Sequence, residues 1–149
     1  MKQKYINLYM DWATRAAELS HARRLHVGAV IVKDDTVISY GYNGMPAGWD
    51  NNCEDEIYQQ DGTVGTKTKP EVLHAESNAI AKLAKSSNSG LDASIFITHA
   101  PCIDCAKLIY QSGINSVYYR SQYRNDDGIK FLLRSGIDVT QIDNDNTTL

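Results

Sequence analysis

His74-Ala75-Glu76 and Pro101-Cys102-Ile103-Asp104-Cys105 are the two runs of this chain whose residue types and spacing could do chemistry together. Two thiols three positions apart on the first turn of a helix can converge on one metal ion, and a helix N-terminus favours thiolate over thiol. His74 would complete a three-ligand set. Soft sulfur plus imidazole selects Zn²⁺, and three protein ligands in place of four leave a position open for water. Glu76, two residues past His74, is placed to reach that water and move its proton. Taken singly, each run has an ordinary explanation: a lone C-x-x-C can be a redox pair, and a lone His is usually a satisfied helix residue. A structural Cys₄ or Cys₂His₂ site is disfavoured, because the remaining thiol, Cys53, has no Cys or His at short spacing.

Both runs must be held by a scaffold, and apolar periodicity predicts one. Apolar residues at threes and fours predict a helix over Lys4–Leu19, with Tyr5, Leu8, Tyr9, Trp12, Ala13, Ala16, Ala17 and Leu19 on the core. Val27–Lys33 and Thr36–Tyr42 read as a hairpin turning at Asp34-Asp35. Residues 43–69 are crowded with Gly, Asn, Asp, Pro, Thr and Gln and read as a long functional loop. Helices are expected over His74–Lys85, Cys102–Ser112 and Asp127–Ser135, and strands over Ser94–Thr98, Ser116–Arg120 and Ile137–Ile142. The tail from Asp143 is polar and expected to fray. Strands alternating with helices in the second half imply parallel neighbours. The expected fold is therefore α/β, with a mixed five-stranded sheet, an antiparallel first hairpin, parallel later strands and helices on both faces.

Composition bounds the function. The 149 residues are expected to form one domain, and 42% hydrophobic content supports a packed core. Fifteen basic against eighteen acidic residues give a net charge of −3, which offers no global field for a nucleic acid. The longest apolar run, Val27–Val32, is far short of the roughly twenty residues a membrane helix needs. Residues 1–15 show no apolar signal core, and three cysteines, an odd number, point to a reducing compartment. Cytoplasmic residence with no membrane and no nucleic-acid partner is the expectation.

The pair of runs matches the H-x-E…P-C-x-x-C signature of zinc nucleobase deaminases. More broadly, His74–Ile80, Ala100–Lys107 with Gln111–Ile114, Val27–Val30 and Gly41-Tyr-Asn-Gly-Met-Pro-Ala-Gly48 together resemble the deoxycytidylate deaminases, a family within the zinc-dependent cytidine/deoxycytidylate deaminase superfamily. The resemblance runs from about Ala22 to Ile142. It implies a three-layer α/β/α fold and hydrolysis of dCMP to dUMP and ammonia, feeding thymidylate synthesis. His74, Cys102 and Cys105 would hold zinc, and Glu76 would act as base and then acid.

The resemblance also implies that Asn43 bonds the sugar, that Tyr123 stacks on the base and that Ala75 contacts the substrate. Arg23, Arg24, Arg120 and Arg124 flank the pocket by sequence order and suit a monophosphate. dCTP as activator and dTTP as inhibitor, with Mg²⁺ alongside the triphosphates, would use Gly41, Tyr42, Asn43 and Gly44 in a homohexamer. Some relatives hold a second zinc, for which Cys53 with His21 or Glu71 would be the remnant; with no other Cys or His nearby, no second metal is expected. His99 reads as a bulky neighbour of the site, and His26 has no assigned role. The alternatives are a deaminase acting on free cytidine or deoxycytidine or on tRNA adenosine, and a non-catalytic zinc module that binds nucleotides; ammonia release separates the last from the others.

Overall fold

The computed structural model describes residues 1–143; apart from Asp143, the tail expected to fray lies outside them. Helix α1 spans Gln3–Ala17, α2 Ala75–Ala84, α3 Ile103–Gln111 and α4 Asp127–Arg134. Five strands, β1 (Gly28–Lys33), β2 (Thr36–Tyr42), β5 (Ser94–His99), β6 (Ser116–Ser121) and β7 (Asp138–Gln141), form one sheet in the order β2-β1-β5-β6-β7. β1 is antiparallel to β2 and to β5, while β5, β6 and β7 run parallel. Asp34 and Asp35 both take positive φ, 50° and 58°, the left-handed pair that a tight two-residue hairpin needs.

The sheet is covered on both faces, so β1 is apolar on both. Ala29 and Ile31 point into a cluster with Ala79, Leu83, Ala106, Ile109 and Leu132 from α2, α3 and α4. Val30 and Val32 point the other way, onto Tyr9, Met10 and Ala13 of α1. This gives the expected three layers. Gly41 of β2 is where α2 comes closest: a Cβ there would fall on the Ala75 carbonyl and the Ala79 nitrogen. Glycine thus lets α2, with His74 and Glu76 at its start, lie directly on the sheet. Among the described residues no helix is long and apolar enough to cross a membrane.

Two expectations need correction. Residues 43–69 are not all loop: β3 (Glu54–Tyr58) and β4 (Val64–Thr68) pair antiparallel as a separate two-stranded sheet. Their residues are largely exposed on both faces, so no apolar alternation marks them. In α1, the sheet takes Tyr9, Met10, Ala13, Ala16 and Ala17, whereas Leu8 and Trp12 are about half exposed, at 45% and 50%, Tyr5 is exposed too, and Leu19 lies exposed beyond the helix end. The helix carries two apolar stripes, and only one rests on the core.

Candidate active site

His74 and Cys102 are the N-cap residues of α2 and α3, both extended (ψ 158° and 169°), so each ligand sits where the helix presents unpaired N–H groups. The two starts are pinned by backbone bonds, one to the segment after β2 and one to the end of β6. Gly44 and Leu73 exchange N–H···O bonds of 3.1 and 2.8 Å, fixing the residue before His74, and Ala100 N–H donates to Ser121 O at 2.8 Å, fixing the approach to Cys102. The site therefore lies beyond the C-terminal ends of the parallel strands β5 and β6, the usual position in α/β sheets.

His74 Nδ1 lies 3.5 Å from Cys102 Sγ and 3.3 Å from Cys105 Sγ, and the three ligand atoms all fall within 4.8 Å of one another. A zinc ion with tetrahedral bonds of about 2.3 Å to sulfur and 2.0–2.1 Å to nitrogen would separate its S and N ligands by about 3.6 Å. The donor set fits zinc in chemistry and spacing. The Cys102 thiol is held down to about 4 by the neighbouring Cys105 thiol, with His74 and the Cys105 backbone N–H helping against burial. Cys105, its partner, is pushed up by Cys102 and by burial, and the His74 imidazole is raised, chiefly by its bond to Cys102. This proton-sharing cluster is what a divalent cation would convert into two thiolates and a neutral imidazole. Glu76, in the first turn of α2, is 4% exposed, and burial holds its carboxyl above the ordinary carboxylate range.

These groups open onto a cavity of about 520 Å³. His74, Ala75, Glu76 and Cys102 line one side; Arg24, Asn43, Tyr123 and Arg124 line it elsewhere. His99 is also in the wall, its Nδ1 3.1 Å from Thr98 Oγ1, with burial lowering its pKa and favouring the neutral ring. A second groove of about 470 Å³, by Ile103, Lys130 and Phe131, contains no comparable ligand set.

The other predicted residues divide. Tyr123 is half-buried in the wall, with the Arg124 guanidinium 5.4 Å from its ring and bonded to its hydroxyl. Asn43 reaches the cavity but also clamps the chain: its Oδ1 accepts from Val27 N–H at 2.8 Å and its Nδ2 donates to the Leu25 carbonyl at 2.7 Å. Arg23 and Arg120 do not line the cavity. Arg23 is bound to Glu54, and Arg120 lies on the α1 side of the sheet, donating to Thr14 Oγ1 at 3.0 Å beside Asp11. Strand alternation explains the second: Val117 faces the α2–α4 cluster, Tyr118 the α1 cluster, and Arg120 shares Tyr118's face. The space left by the missing side chain of Gly41 is filled by α2, so its glycine is explained by packing; nothing stands within 4 Å of a Cβ at Gly44. Among the described residues the only ligand cluster is His74, Cys102 and Cys105, and neither Cys53, His21 nor Glu71 belongs to one.

Glu54 is the wall residue the sequence did not reveal. Its carboxylate is 1% exposed, lines the cavity and is held below its ordinary range: burial raises it, but the bonds from the Arg23 and Arg24 backbone N–H groups and the Arg23 side chain outweigh that. Nothing in the sequence separates it from its exposed neighbours Asp55 and Glu56.

Residues 3–121 match the family described as the cytidine and deoxycytidylate deaminase zinc-binding region. The chain is 39% identical over 125 residues to ComE operon protein 2 of Bacillus subtilis, covering 82% of this chain and 62% of that protein. It is 34% identical over 143 residues to the deoxycytidylate deaminase of Saccharomyces cerevisiae, covering 95% of this chain and 46% of that one. It thus spans about half to three-fifths of these two relatives. The crystal structure of dCMP deaminase from the cyanophage S-TIM5, in complex with dCMP and dUMP, superposes with a TM-score of 0.85 at 42% identity, covering 95% of this chain and 99% of that one.

Proposed function

The chain belongs to the cytidine and deoxycytidylate deaminase family, and from that premise we propose that it hydrolyses dCMP to dUMP and ammonia, supplying dUMP for thymidylate synthesis. The observation that carries the reading is the convergence of His74, Cys102 and Cys105, with His74, Cys102 and the buried Glu76 lining one cavity. When bound by these three residues, zinc supplies a Lewis acid that brings the ionisation of a water towards neutrality. Glu76 takes the proton of the attacking water and returns protons to the pyrimidine N3 and to the departing amine. Its burial keeps bulk water from competing for that proton.

The cyanophage relative with dCMP and dUMP supports the choice of substrate, and so do the cations of the wall. Arg24 and Arg124 line the cavity, and among the described residues neither has a carboxylate partner. They suit a phosphate, Tyr123 a base and Asn43 the sugar, with Ala75 a further substrate contact. The reading includes activation by dCTP, inhibition by dTTP with Mg²⁺ on the triphosphates, and a homohexamer. Gly41, Tyr42, Asn43 and Gly44 are the effector segment, with Gly41 packed against α2 and Gly44 its open member. Three free cysteines suit a reducing compartment, the cytoplasm.

The test is ammonia release from dCMP, dCTP, deoxycytidine and a tRNA anticodon stem in parallel, each with and without dTTP. Release from dCMP at the highest kcat/KM is expected. Equal turnover of deoxycytidine, or release from the tRNA stem alone, would overturn the substrate; no release from any would leave a nucleotide-binding module.

A further inference from the structure

Arg23 and Arg24 are adjacent in sequence but differ in their surroundings. The Arg23 guanidinium has partners: its Nε donates to Glu54 Oε2 at 3.3 Å and its Nη2 to Asn52 Oδ1 at 3.2 Å. Arg24 has no carboxylate partner among the described residues, and its Nη1 makes only a long 3.4 Å bond to the Thr66 carbonyl. Arg24 lines the cavity and Arg23 does not.

Glu54 creates this difference. Its Oε1 accepts from the backbone N–H of Arg23 at 2.8 Å and from that of Arg24 at 3.3 Å. Two successive N–H groups on one oxygen fix the orientation of both peptide units, and with it the direction in which the Arg24 side chain leaves the backbone. An apolar residue could fill the same space, but it would leave two part-buried N–H groups without this acceptor. A buried carboxylate is costly unless it is paired. Here the pairing takes the Arg23 charge and leaves the Arg24 charge uncompensated at the cavity. The hairpin β3–β4 holds Arg24 at both ends, through Glu54 on the backbone and Thr66 on the guanidinium.

We propose that Glu54 is a positioning residue, whose carboxylate grips the Arg23 and Arg24 backbone N–H groups so that the unpaired Arg24 guanidinium is presented to the phosphate of the substrate. The inference rests on the deaminase reading of the cavity. It is tested by steady-state kinetics of zinc-loaded wild type, Glu54→Gln, Arg24→Ala, the double variant and Arg23→Ala, with dCMP and with deoxycytidine.

Glu54→Gln should raise KM for dCMP about tenfold, as expected for weakening one charge-assisted contact, with kcat within about twofold. Its kcat/KM for deoxycytidine, which has no phosphate, should change less than about threefold, and in the Arg24→Ala background it should add nothing further. Equal losses on both substrates, or effects that add in full to those of Arg24→Ala, would overturn the positioning role. Should Glu54→Gln fail to fold, Arg23→Ala decides, because its exposed side chain can be removed while both backbone contacts remain. A rise in KM below about threefold supports the proposal, and a rise matching that of Arg24→Ala overturns it. A wild type that turns over deoxycytidine as well as dCMP overturns the substrate reading instead; a wild type that prefers dCMP, with equal losses in Glu54→Gln, overturns this inference alone.

Discussion

On one side of the cavity, His74, Glu76 and Cys102 leave two helix starts, that of α2 resting on β2 and β1 and that of α3 following on from β5, with Ala75, Ile95, Ile97 and Val117 fully buried in the core. Elsewhere in the wall Arg24, Asn43, Tyr123 and Arg124 leave segments between or beyond the main-sheet elements, and both arginines are exposed. Bond-making needs atoms fixed to a fraction of an ångström, and packed helix ends on a covered sheet provide that. Recognition of a particular nucleotide tolerates softer mounting, and surface loops can vary without disturbing the core. The first region should therefore set whether the protein reacts at all, and the second what it reacts with.

Substitutions should break that division unequally. Cys105→Ala, in the packed region, should lose both bound zinc and ammonia release to background, by elemental analysis and assay; retained zinc with retained rate would remove Cys105 from the ligand set. Glu76→Gln should keep zinc and lose about 10²–10⁴ in kcat, the usual range for an acid–base group; a rate above about a hundredth of wild type would contradict its role. Tyr123→Ala, in the loop region, should raise KM for dCMP or lower kcat about tenfold with zinc content unchanged, in line with stacking of about 1–3 kcal/mol. Unaltered kinetics would remove Tyr123 from the site.

The smallest effect is on stability. The Glu54 carboxyl lies below its ordinary range when folded, so the stability it contributes is fully present above the unfolded carboxylate pKa and is lost as pH falls through the folded value. The difference in urea midpoint between wild type and Glu54→Gln should shrink on acidification from about pH 5 downward. A difference that stays flat from neutral to strongly acid pH would show that the charge on Glu54 contributes nothing.

The packed region was the legible one. Metal chemistry dictates residue types and spacing, so the grouping of His74, Cys102 and Cys105 was visible in the sequence, and both-face burial made β1 and β5 continuous apolar runs. The loop region was legible only in part, because pairing and charge, not apolar period, organise it. β3 and β4 are held by each other and are mostly solvent-exposed, and Glu54 differs from Glu56 only in what the fold brings to it. Arg120 could have been placed by the period of two along β6, which sets it opposite the buried Tyr119. The structural service of Asn43, clamping Leu25 and Val27, needs partners sixteen and eighteen residues away and had no local signal.

Deamination by this chain requires that His74, Cys102 and Cys105 hold a reactive metal with a position left open. Elemental analysis of the purified protein, never exposed to chelator, tests it most directly. One zinc per chain is the predicted result; a chain without stoichiometric transition metal that still deaminates dCMP would contradict the account.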